Sequence, residues 1–127
     1  MNVKELRIGN LIEISDYSDV IFEIEEIEYS NYKIDYRVLA KGYNGDWVNK
    51  DWVNNVESVI PIPLTNDWMI KFGFELFPWG FVKNKLRISF NSKTEFRYIS
   101  DNISIQIKSV HQLQNLYFAL TGDELTL

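Results

Sequence analysis

The stretch Val82-Lys83-Asn84-Lys85-Leu86-Arg87-Ile88-Ser89-Phe90 is continued by Phe96-Arg97-Tyr98 and by Ile103-Ser104-Ile105-Gln106-Ile107-Lys108. Its apolar and polar residues alternate with the two-residue period of strands buried on one side. Val82, Leu86, Ile88 and Phe90 share one face, and Lys83, Lys85, Arg87 and Ser89 share the other. A turn at Asp101-Asn102 pairs Tyr98 with Ile105 and sets Glu95 opposite Lys108, while a loop over Asn91–Glu95 pairs Phe90 with Phe96. A slip of one residue would send the whole apolar set to solvent. The pattern therefore predicts a three-stranded antiparallel meander in one register.

The segment after the meander reads as its cover. Ser109 and Gln112 have the spacing of a capping box. Val110, Leu113, Leu116, Tyr117 and Leu120 make an apolar stripe of helical period, with Leu116 expected buried at its centre, and Gly122 stops the helix. Leu125 and Leu127 can dock the tail. His111, at the second helical position, is expected to have a surface or capping role. A short helix precedes the meander: Thr65 as N-cap, Trp68, Met69 and Phe72 inward, and Gly73 at C′. Phe77-Pro78-Trp79-Gly80 is a turn.

Residues 1–64 read as short strands. Leu11–Ser15 is the first. Val20, Phe22 and Ile24 alternate, and the alternation slips at Glu25-Glu26, as at a β-bulge. Tyr32, Ile34, Tyr36 and Val38 alternate in turn, with a Ser30-Asn31 turn pairing Tyr29 with Tyr32 and Ile27 with Ile34. Asn44-Gly45 signals a type I′ turn. Asp46-Trp47-Val48-Asn49 recurs as Asp51-Trp52-Val53-Asn54, a spacing of five that puts the two tryptophans on opposite strand faces. Pro61 and Pro63 exclude a central strand there. The expected fold is α+β: an N-terminal SH3-like small β-barrel (residues 1–64), then a helix and a three-stranded antiparallel meander covered by a C-terminal helix (residues 65–127), packed as one compact unit. Other five-stranded meanders fit the first half nearly as well.

Composition narrows the chemistry. The 127 residues include no cysteine and one histidine, which excludes cysteine-ligated metal sites, thiol chemistry and Cys–His nucleophiles. Neither a G-x-x-x-x-G-K-[ST] loop nor G-x-G-x-x-G occurs, and there is no G-x-S-x-G elbow. A non-enzyme without cofactor is expected. No apolar run approaches the roughly 18 residues a membrane helix needs, and the first ten residues lack the core of a secretory signal. Residues 1–64 hold twelve acidic and six basic side chains, a net of −6, whereas residues 65–127 hold six and seven, a net of +1. An overall charge of −5 argues against duplex DNA as a partner.

Two surfaces stand out as candidate binding sites. Lys85, Arg87, Arg97 and Lys108 gather on the outer face of the meander, where cations among serines and glutamine could hold a phosphate or a short nucleic acid. Tyr43, Trp47, Trp52, Phe77 and Trp79 lie in or beside turns, where aromatics anchor partners and ring ligands. In addition, Glu23, Glu25, Glu26 and Glu28 form an acidic rim that could meet a basic protein.

Three blocks carry a resemblance. They are Glu5-Leu6-Arg7-Ile8-Gly9-Asn10-Leu11; Ile60-Pro61-Ile62-Pro63-Leu64-Thr65 with Trp68 and Phe72-Gly73-Phe74; and Val110-His111-Gln112-Leu113-Gln114-Asn115-Leu116-Tyr117-Phe118-Ala119-Leu120-Thr121-Gly122 with Asp123-Glu124-Leu125. Together they resemble a family of small uncharacterised proteins from Bacteroidetes phages and integrated mobile elements. The resemblance implies a genomic setting and carries no catalytic residues. The expectation is an accessory protein in the host cytoplasm that binds a host protein of defence or nucleic-acid processing. The alternatives are a sponge for a nucleotide-like signalling molecule, with a homo-oligomer allowed, and a single-strand nucleic-acid-binding module.

Overall fold

The computed structural model describes residues 6–15, 17–29, 36–44, 46–53, 59–90 and 95–127. The chain divides into two units, Met1–Ile62 and Pro63–Leu127.

The first unit is an antiparallel sheet of β1 (Leu11–Ile14), β2 (Tyr17–Tyr29), β3 (Tyr36–Asn44), β4 (Asp46–Val53) and β5 (Val59–Ile60), in the order β4-β3-β2-β1-β5. A tight turn, Arg7-Ile8-Gly9-Asn10, starts it. The Asn10 N–H donates to the Arg7 carbonyl at 3.0 Å, and Gly9 adopts φ +93°, a conformation that costs a residue with a Cβ. The buried Asn10 side chain accepts from the Arg7 N–H at 2.6 Å. Gly9 N–H then donates to the Ile24 carbonyl and Ile24 N–H to the Asn10 carbonyl, at 2.7 and 2.9 Å, which ties the turn to β2. Leu6, Ile12, Ile14, Phe22, Ile24 and Val59 form the core, with Val20 and Ile27 against it.

The bulge at Glu25 is present, since Ile24 faces Ala40 while Glu26 faces Leu39. The Ser30-Asn31 hairpin is corrected. Tyr29 pairs with Tyr36 and Ile27 with Val38, so residues 30–35, which lie outside the described residues, join β2 to β3. Shifting a register by four positions keeps every residue on its face, so alternation alone cannot tell the two pairings apart. In β4 the register jumps from Gly42↔Asn49 to Tyr43↔Trp47. Val48 is thus an extra residue in the ladder between Trp47 and Trp52, whose side chains lie outside the described residues. Gly45 lies outside the described residues. Among the described residues no pairing joins β4 to β5, and the sheet is open at both edges.

The second unit comprises α1 (Asn66–Lys71), β6 (Glu75–Phe77), β7 (Gly80–Lys83), β8 (Leu86–Phe90), β9 (Phe96–Ser100), β10 (Ile103–Ile107) and α2 (Val110–Thr121). The expected meander is the larger part of a five-stranded sheet, ordered β10-β9-β8-β7-β6. Tyr98↔Ile105 and Phe90↔Phe96 pair as expected. The run Val82–Phe90 is not one strand. Asn84 and Lys85 take φ +47° and +71°, the two positive values of a type I′ turn, and split the run into β7 and β8. Val82 therefore pairs with Arg87 on the outer face, and Phe81 with Ile88 on the inner one. Phe81 and Ile88 are fully buried, and the Phe81 ring packs on Phe90 and Phe96.

Both helices have the ends their sequences encode. Thr65 Oγ1 accepts from the Trp68 N–H. The Gly73 N–H donates to Ile70 and the Phe74 N–H to Met69, a Schellman closure with Gly73 at φ +87°. Ser109 Oγ accepts from the Gln112 N–H, and Gln112 Oε1 reaches back to the Lys108 N–H at 2.8 Å. Gly122, at φ +78°, closes α2.

The buried face of α2 is Val110, His111, Leu113, Gln114 and Tyr117. Leu116 is only half-buried and Leu120 is 48% exposed, which corrects the expected stripe. The helix is turned towards Gln114, whose side chain donates to the carbonyl of the buried Leu125 and so holds the tail. His111 is buried rather than on the surface, with Nδ1 3.2 Å from the capping Ser109 Oγ.

Two stability measurements check this packing. In urea unfolding, Leu113→Ala should cost roughly 2–5 kcal/mol and Leu116→Ala clearly less. Lys85→Gly should raise stability by about 1 kcal/mol, because glycine removes the left-handed penalty at the turn.

Candidate functional site

Gly80 decides how the outer face of the second sheet is built. A Cβ there would lie 2.1 Å from the Ile88 carbonyl oxygen and 2.8 Å from Ser89 Cα, so only glycine lets β7 lie this close to β8. The two-residue turn Pro78-Trp79 precedes it, with Phe77 paired to Gly80 and the Trp79 carbonyl accepting from the Phe90 N–H at 3.2 Å. The Phe77 and Trp79 rings stack at 5.6 Å between centroids and 13° between planes. The Arg87 guanidinium carbon stands 5.6 Å from the Trp79 ring centre, within cation–π range. Trp79 remains 43% exposed.

The register adds a second arginine. Gly80 pairs with Ser89, Ser89 with Arg97, and Arg97 with Gln106, one row across the outer face. Arg97 Nη1 donates to Ser104 Oγ at 3.1 Å, and Ser89 Oγ donates to the Arg97 carbonyl at 3.2 Å. The arginine head is thereby steered along the sheet. The outcome is an open face with a stacked aromatic pair, two guanidinium groups and hydroxyl and amide side chains between them.

Of the four cations expected on this face, the structure places Arg87 and Arg97 there. Lys85 sits at the tip of the β7–β8 turn in left-handed backbone, off the face. Lys108 follows β10, exposed, its backbone held by Leu64 N–H and by Gln112. Lys83, also expected outside, is on the opposite face. It pairs with Leu86, its ammonium donates to the Phe72 carbonyl, and it lies 5.7 Å from the Tyr117 ring centre. The inserted turn is the reason for these corrections: residues before it belong to a different strand, and the parity carried through Val82–Phe90 breaks there.

Trp79 belongs to the site. The side chains of Tyr43, Trp47 and Trp52 lie outside the described residues. Glu23, Glu25 and Glu26 are in the first unit, with Glu25 at the bulge and Glu26 the most exposed, while the Glu28 side chain lies outside the described residues. Phe77, expected with Trp79 among the turn aromatics, joins the site by stacking on Trp79. Its signal was available, because residues 77 and 79 flank a proline in a two-residue turn. Ile99, 58% exposed, is the residue the sequence reading did not name, since Ile99 pairs with Ser104 on the outer side. A shallow depression lined by Leu64, Thr65, Asn66, Asp67 and Phe96 lies apart from this face. Among the described residues no cluster of three metal-ligating side chains occurs, and no helix is long and apolar enough to cross a membrane.

Compared with models of protein families, with curated proteins and with solved structures, the chain gives no match.

A pair of substitutions separates face from framework. Arg87→Glu should change unfolding free energy by about 0.5 kcal/mol or less. Gly80→Ala should cost roughly 2–3 kcal/mol, since the new methyl meets backbone rather than a side chain that can move. Denaturant titration of both variants reads the contrast.

Proposed function

We propose that the protein is a non-enzymatic binding protein, the accessory protein of a phage or mobile element, which engages a host protein of defence or nucleic-acid processing in the cytoplasm. The observation that carries this reading is the exposed Trp79–Arg87 pair on an open sheet face. Tryptophan and arginine are the residue types that dominate protein–protein binding energy when they sit together and become desolvated. Arg97 and Ile99 extend the patch with a second cation and an apolar contact. An open face suits a macromolecular partner better than a small ligand, which calls for concave burial. The strand order β4-β3-β2-β1-β5 supports an SH3-like reading of the first unit, whose acidic rim would face a basic surface of the same partner or of another.

One observation favours a second reading. A stacked aromatic pair beside two arginines also suits a nucleobase and its phosphate, whether in single-stranded RNA or in a nucleotide-like signalling molecule.

The experiment is capture from host lysate with the wild type, Trp79→Ala and the double variant Arg87→Glu/Arg97→Glu, alongside titration with single-stranded RNA and cyclic dinucleotides. A partner retained by the wild type and lost by both variants, with no nucleotide binding at low salt, is the expected result. Nucleotide binding that weakens steeply with salt would transfer the face to the second reading. Capture unchanged in both variants but lost on Glu23→Lys/Glu26→Lys would move the working surface to the acidic rim.

A further inference from the structure

The two guanidinium groups on the outer face of the second sheet point apart. The pairings set the outer side chains in two rows across the strands. One row runs through Glu75, Val82 and Arg87 to Ile99 and Ser104, since Ile88↔Tyr98 puts Arg87 level with Ile99. The other runs through Phe77, Gly80, Ser89, Arg97 and Gln106. Arg87 starts on β8, and its head lies against Trp79, towards the β6–β7 turn. Arg97 starts on β9, and its head bonds Ser104 on β10, towards the opposite edge. Neighbouring strands are about 4.8 Å apart, so the heads stand two to three strand spacings apart, roughly 10–14 Å. Ser89 and the exposed Ile99 lie between them.

Neither cation is neutralised. Arg87 meets an aromatic ring and Arg97 a hydroxyl, and among the described residues no carboxylate forms an ion pair with either. Glu75, the one acid in the two rows, is on β6, two strands and about 10 Å from Arg87. The chain carries 18 acidic against 13 basic side chains, yet this face holds its cations clear of acids. A single phosphate or carboxylate reaches one head and not both. A nucleic-acid strand long enough to reach both is charged at every nucleotide, and a phosphate between the heads would lie over Ile99 without a cation. A peptide can set an apolar side chain there.

We propose that the face takes an acidic segment of the partner protein, with two carboxylates about 13 Å apart and an apolar side chain between them. An extended chain rises about 3.3 Å per residue and presents every second residue to one side, so acids at i and i+4 have this spacing and the residue at i+2 meets Ile99. One carboxylate takes Arg87 beside the Trp79 ring, and the other takes Arg97 beside Ser104. Each guanidinium offers a carboxylate two parallel N–H donors. The inference rests on the reading of this face as a protein-binding surface, and it narrows the partner to one that offers negative charge there.

Two end-blocked peptides of one composition test it, read by the amide chemical shifts of the protein. Extended, Glu-Thr-Val-Thr-Glu holds its acids about 13 Å apart, and Glu-Thr-Glu-Thr-Val about 7 Å. The first should bind more tightly, with shifts centred on Arg87, Arg97 and Ile99. Arg87→Gln and Arg97→Gln should each weaken it about threefold, the scale of an exposed ion pair. Absence of shifts up to about 10 mM of the first peptide overturns the proposal. So do equal binding of the two peptides and indifference to either arginine. An oligouridylate that binds more tightly than the first peptide through both arginines also overturns it and gives the face to single strands. If the peptide fails while Arg87→Glu/Arg97→Glu still abolishes capture from host lysate, only this inference falls. If capture is unchanged as well, the reading of the face falls with it.

Discussion

The C-terminal unit is fastened at the Tyr117 side chain. It is 2% exposed, its hydroxyl accepts from Asn84 Nδ2 at 2.5 Å, and the Lys83 ammonium lies over its ring. Phe74, just past α1, meets the ring edge-on, and Thr121 Oγ1 donates to the Tyr117 carbonyl at 2.7 Å. Both helices and the β7–β8 turn thus converge on one aromatic residue. A buried hydroxyl left without a partner would cost about 1–3 kcal/mol, so the turn and the helix hold each other in place.

That fastening has a consequence for the outer face. Because Asn84 is fixed to α2, β7 and β8 can pair in one register only, and Arg87 stands beside Val82 rather than one residue to either side. A slip would bury the arginine and expose Ile88. The Trp79–Arg87 contact is therefore a product of inner-face packing. Gly80 contributes from the other end by allowing the close approach that brings the Pro78-Trp79 turn alongside β8. The face owes its chemistry to exposed residues and its geometry to buried ones.

Much of this was legible from the residues. The β9–β10 register, both N-caps, both glycine stops and the Glu25 bulge follow from local rules about alternation, capping and backbone freedom. The Asn84-Lys85 turn was not, because the second position of a type I′ turn usually announces itself with glycine, and lysine there reads as one more outward strand residue. That single substitution of turn chemistry misplaced Lys83, Lys85 and Val82 together. The burial of His111 and the half-exposure of Leu116 escaped for another reason. A helical stripe fixes which residues cluster, while the exact rotation of α2 is set by Gln114 and Leu125, a contact between helix and tail that no periodicity encodes. In the candidate site, Arg87 and Arg97 were readable from parity, whereas their meeting with Trp79 depended on how a two-residue turn folds back over the sheet.

The most direct test of the account is a double-mutant cycle on Asn84 and Tyr117. Asn84→Ala, Tyr117→Phe and the double variant are each unfolded in urea. If the turn and the helix are joined as described, the two single losses should exceed the double loss, with a coupling of about 1 kcal/mol. Strictly additive losses would contradict it, because they would mean that the turn and α2 are held by separate contacts and that the outer face is not set by this one fastening.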